Sequence, residues 1–90
     1  MLYRTRLGSL FSEGARLLWL ALADRKLSQA DAERLLGSPQ GQLSKWLYGE
    51  RRPGLKWAVL IQAQFDIPPE TWRLAPSRKF VPPAAQVAAS

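Results

Sequence analysis

The chain contains no cysteine and no histidine. Disulfide staples, thiol nucleophiles, zinc fingers and imidazole acid–base chemistry are excluded with them, and metal sites are not expected. Their absence also fits a reducing cytoplasm. No nucleophile–base pair, no paired catalytic carboxylates and no glycine-rich phosphate loop can be found, so neither an enzyme nor a cofactor is expected. The apolar run over 17–23 covers seven residues, far short of the ~20 that a membrane helix needs. The N-terminus lacks a signal-peptide layout, so the chain reads as soluble and cytoplasmic, with no membrane partner.

Acids are scarce as well: seven Asp and Glu stand against thirteen Lys and Arg, for a net charge of +6. The imbalance is local. Residues 34–56 hold five bases (Arg34, Lys45, Arg51, Arg52 and Lys56) and the single acid Glu50, which favours a polyanionic partner. At 90 residues the chain forms one small domain, with enough apolar content for a single core.

What is present is mostly helical periodicity. A first helix is predicted over 10–25 with Ser9 or Ser12 as cap, a second over 29–36 behind the cap Ser28, and a third over 39–48 with Pro39 at its first position. Gly37 reads as a tight turn and Gly49 as a left-handed stop, and Pro53 keeps the chain from resuming a helix at once, leaving Glu50, Arg51 and Arg52 in an exposed basic loop. A fourth helix follows over 55–65, then a short fifth started by Pro68 and Pro69 that returns Trp72 to the core. The organisation is therefore an N-terminal arm (1–8), an all-α five-helix domain (9–74) and a Pro/Ala-rich tail (75–90), mobile by composition except for a candidate anchor at Phe80 and Val81. The arm, with Tyr3, Arg4 and Arg6, is either a frayed terminus or a segment that reaches a phosphate or a minor groove.

The first helix is apolar beyond one stripe, since Leu17, Trp19 and Leu20 supplement Leu18, Ala21 and Leu22. Its surplus needs a second cover, from the arm, the tail, a dimer or a partner. Trp46, Trp57 and Trp72 fall at core-compatible spacing, which argues against stacking on single-stranded nucleic acid. Trp19 has no evident place.

The residues Leu27-Ser28-Gln29, Leu36-Gly37, Leu43-Ser44, Trp46, Gly49, Arg52-Pro53 and Asp66 through Trp72 form one spaced pattern. It resembles the helix-turn-helix of the lambda-repressor and Cro family, also called the XRE family, over about residues 10–73. The resemblance implies a compact lambda-repressor-like bundle whose third helix lies in a major groove of double-stranded DNA. It also implies that Gln40 reads a base, because an amide donates and accepts at once and so matches the N6 and N7 edge of adenine. Gln29, eleven residues earlier, would brace Gln40 and hold a phosphate. Lys45 would read a guanine edge, and Gly41, at a base-contacting position, would either allow close backbone approach or simply weaken the helix, while Gln42, Ser44, Tyr48, Arg51 and Arg52 would grip phosphates. Outside the pattern, two Gln at helix starts would read as capping or solvated groups, and Lys45 and the basic loop as solvated surface.

The sequence departs from the family at several positions. Leu22 and Leu47 stand where many relatives carry an Arg–Glu ion pair, and the double change predicts that the two leucines touch. Gly41 replaces a common Ser, Thr or Gln. Glu33 stands where Ala is common, between the second and third helices, and a carboxylate there needs solvent or a cationic partner. The implied function is a transcriptional regulator, a repressor more often than not, bound as a homodimer to a palindromic operator. A reading of another class is an antitoxin or phage accessory module that binds a protein partner through its tail or first helix.

Overall fold

The computed structural model describes residues 8–80. The arm residues Tyr3, Arg4 and Arg6, and the tail from Val81 onward, lie outside the described residues. Four α-helices follow one another: α1 (Glu13–Arg25), α2 (Gln29–Leu36), α3 (Gln42–Leu47) and α4 (Leu55–Phe65). The expected fifth helix is a single 3-10 segment, Pro69–Arg73. No strand occurs among the described residues.

Each boundary has a local cause. The Ser12 hydroxyl caps α1 by accepting the Ala15 amide at 3.3 Å, which leaves Leu10 and Phe11 outside the helix. Ser28 and Asp31 form a reciprocal capping box at the start of α2, and the Ser28 amide holds the Asp31 carboxyl below its ordinary range. Gly37 ends α2 at a φ of 70°. The third helix starts later than its sequence suggests, at Gln42 rather than Pro39. Gly41 takes a φ of 87°, a conformation that interrupts helix and that glycine adopts at low cost. Pro39, Gln40 and Gly41 instead make a turn closed by the Gln42 amide on the Pro39 carbonyl at 3.2 Å.

One core gathers every element. Ala15, Leu18, Trp19 and Leu22 of α1, Ala32 and Leu36 of α2, Leu43, Trp46 and Leu47 of α3, Ala58, Ile61 and Phe65 of α4, and Ile67 and Trp72 are all buried. Leu22 and Leu47 thus share the same interior, and α1 packs directly on α3. Trp72 lies so close to α1 that a Cβ on Gly14 would stand 2.5 Å from its ring.

Trp19, unplaced by sequence, is 8% exposed and donates its indole N–H to the Leu47 carbonyl at 2.8 Å. Tyr48 meets it edge-on at 5.4 Å between centroids, and Phe80 covers it at 6.0 Å while stacking on Phe11 at 5.7 Å. The beginning of the tail therefore supplies part of the cover that the first helix lacks. The Ser77 amide reinforces it by donating to the Glu13 carboxylate at 2.6 Å. Leu17, Leu20 and Ala21 are left beside Phe65 and Ile67 in an apolar groove.

Glu13 joins the tail to α1. Arg16 donates to both of its oxygens, at 2.9 and 2.6 Å, and these bonds, with that from Ser77, bring its pKa from 4.5 to about 2 against the raising effect of burial. A carboxyl depressed on folding contributes stability that is complete above its unfolded value and is lost as pH falls toward the folded one. Acid titration of the melting midpoint should therefore decline between about pH 4.5 and 2, and Glu13→Gln should flatten that limb. Gly14→Ala tests the close approach of Trp72: it gains about 1 kcal/mol of helix propensity yet should lose about 1–3 kcal/mol to overpacking, so a denaturant midpoint below wild type is the expected net result.

Candidate nucleic-acid interface

The segment from Gln40 to Arg52 has two unlike sides. Leu43, Trp46 and Leu47 are almost wholly buried, whereas Gln40, Gly41, Lys45, Arg51 and Arg52 are exposed. Apolar residues three and four apart turn one side of α3 inward, which leaves the polar positions between them facing solvent. Gln42 and Ser44 are intermediate. Gln29 is half-buried in the first turn of α2 behind the Ser28 capping box.

Tyr48 does not join this surface. It is 2% exposed, with its ring edge-on to Trp19, so the expectation of a phosphate contact there is corrected: an aromatic ring used to close the core cannot reach a strand outside it. Gln40 also differs from its expected setting. It lies in the turn before α3 instead of in the helix, because Gly41 diverts the backbone before the helix begins.

The end of α3 is anchored through its carbonyls, which helix geometry leaves without intrahelical partners. Leu47 O accepts from Trp19, Tyr48 O from the Gly8 amide at 2.7 Å, and Gly49 O from the Leu10 amide at 3.0 Å. The Lys45 carbonyl accepts from the Glu50 and Arg51 amides at 2.9 and 3.2 Å, with Gly49 at a φ of 74° making the reversal. This return holds the start of the basic loop against the helix that carries Lys45. Beyond it, exposed Lys56 lies 5.0 Å from the Trp57 ring, and exposed Arg34 is paired with Asp31.

Sequence reasoning singled out Glu33 and did not foresee its partner. Among the described residues the Glu33 carboxylate finds no cationic side chain: it accepts the Gly41 amide at 2.8 Å, across the connection between α2 and α3. Its signal was present as two separate oddities, an acid at 33 and a glycine at 41. Only the folded turn brings them together.

Taken together, the site offers an exposed amide in the turn before α3, an exposed ammonium on α3 and an exposed guanidinium pair in the loop after it. Such a surface suits the edge and backbone of a polyanion better than a small molecule. A family model described as helix-turn-helix matches residues 20–72, which span α2, the turn and α3. No match was found among curated proteins or among solved structures.

The burial of Tyr48 makes a direct test. Tyr48→Ala should destabilise the fold by about 3 kcal/mol, in line with other aromatic truncations in cores, measured by denaturant unfolding. A residue whose role was at the surface would change stability little.

Proposed function

The chain belongs to the XRE, lambda-repressor-like family of DNA-binding helix-turn-helix regulators, and from that premise we propose that it binds a specific double-stranded operator with α3 in the major groove. The observation that carries this reading is the exposure of Gln40, Lys45, Arg51 and Arg52 around a helix whose opposite side is buried. Gln40 and Lys45 read base edges and Gly41 lets the backbone approach them. Gln29, Gln42, Ser44, Arg51 and Arg52 hold phosphates, which set register and supply the salt-dependent part of affinity. A regulator of this kind works where the chromosome is, so it is cytoplasmic and nucleoid-associated.

A six-residue helix addresses only a few base pairs, too few for an operator to stand out from random sequence. Binding as a homodimer to a palindrome, with two copies of α3 about 34 Å apart, supplies the missing specificity. Occupying such a site blocks other factors, so repression is the regulatory sense we favour. The alternative, a protein-interaction module working through the tail or first helix, loses the Trp19 face to Phe80 and keeps the groove beside Leu17, Leu20 and Ala21.

Gln40→Ala should cost on the order of 1–3 kcal/mol on the preferred duplex and relax discrimination at one base pair, whereas Arg52→Ala should weaken binding to all duplexes and reduce the salt slope by about 1. Selecting bound duplexes from a random library and titrating the winners at several salt concentrations measures both. Equal losses on preferred and random DNA for the two variants, or a winner without two-fold symmetry, would contradict the proposal.

A further inference from the structure

Glu33 holds both ends of the connection between α2 and α3. Its carbonyl accepts the Ser38 amide at 3.1 Å, just after the helix stops, and its carboxylate accepts the Gly41 amide at 2.8 Å, just before α3 begins. Gly41 gives α3 no side-chain cap of its own. It stands at a φ of 87°, and among the described residues none but its chain neighbours comes within 4 Å of where a Cβ would be, so side-chain packing does not hold its conformation. Gln40 is the residue between Pro39 and this clamped amide, and its side chain is exposed.

Resting on the reading of the interface given above, we propose that Glu33 is a positioning residue that determines specificity: by fixing the Gly41 amide, it fixes the angle at which Gln40 meets a base. The same charge has a cost. A carboxylate beside the reading turn repels every duplex alike, so its presence lowers general affinity while sharpening choice. The hydrogen bond spans an exposed part of the surface, where such bonds add little to global stability. Its effect falls instead on the orientation of the turn.

Two variants separate charge from geometry. Glu33→Ala and Glu33→Gln both remove the negative charge, but only Gln keeps an oxygen able to accept the Gly41 amide. Both should bind random duplex more tightly than wild type, by similar factors. The ratio of affinities for preferred and random duplex should fall on the order of tenfold in Glu33→Ala, the scale of one charge-assisted hydrogen bond, and recover in Glu33→Gln. Amide hydrogen exchange at Gly41 should accelerate in Glu33→Ala alone, with core amides unchanged.

An unchanged ratio in Glu33→Ala, an equal fall in both variants, or unaltered Gly41 exchange would overturn the proposal. A melting midpoint that drops in proportion to the ratio would assign Glu33 to stability and overturn it too. A wild-type chain that prefers no duplex would instead overturn the reading of the interface, and Gly41 exchange would still judge the clamp.

Discussion

The Trp19 indole donates to the Leu47 carbonyl across 28 residues of sequence, inside the core. That bond fixes the last turn of α3 against the middle of α1, and burial of Leu43, Trp46 and Leu47 fixes the rest of its inner side. A buried indole N–H without an acceptor would carry a substantial desolvation cost, as would an unsatisfied helix-end carbonyl. Each group answers the other. The aromatic neighbours Tyr48 and Phe80 exclude water from the pair, so the placement of the exposed side of α3 follows from how its inner side is held.

Around that anchor the segments that flank the helices do structural work. Gly8 and Leu10 donate to the carbonyls that follow α3, and Phe80 closes over Phe11 and Trp19. Segments that look peripheral in sequence complete the support of the polar surface. Glu13, bound by Arg16 and Ser77, ties the same tail to the first turn of α1.

Much of this is legible in the sequence, for reasons that differ by element. The second and fourth helices are readable because their caps, stops and apolar spacing agree locally: Ser28 and Gly37 bound one, and Gly54 and the Ala58, Ile61, Phe65 series define the other. The start of α3 is not, since Pro39 at a helix entrance is a strong local signal, whereas Gly41 at a φ of 87° interrupts the backbone two residues later. Tyr48 shows the complementary failure. A polar hydroxyl near a basic loop suggests a surface role, yet the ring is needed beside Trp19, a partner 29 positions earlier. Lys45 is exposed as its place between apolar positions predicts, and Arg51 and Arg52 as the stops at Gly49 and Pro53 predict, while the bond between Glu33 and Gly41 depends on where the turn comes to rest.

Six residues are too few for α3 to persist by itself, because helix nucleation consumes more free energy than so few bonds return. Its order is borrowed from the interior to which Leu43, Trp46 and Leu47 belong. The helix itself therefore has no independent life: its order lasts as long as the bundle that buries its inner side. Warming or denaturant removes α3 when it removes the core on which Leu43, Trp46 and Leu47 pack.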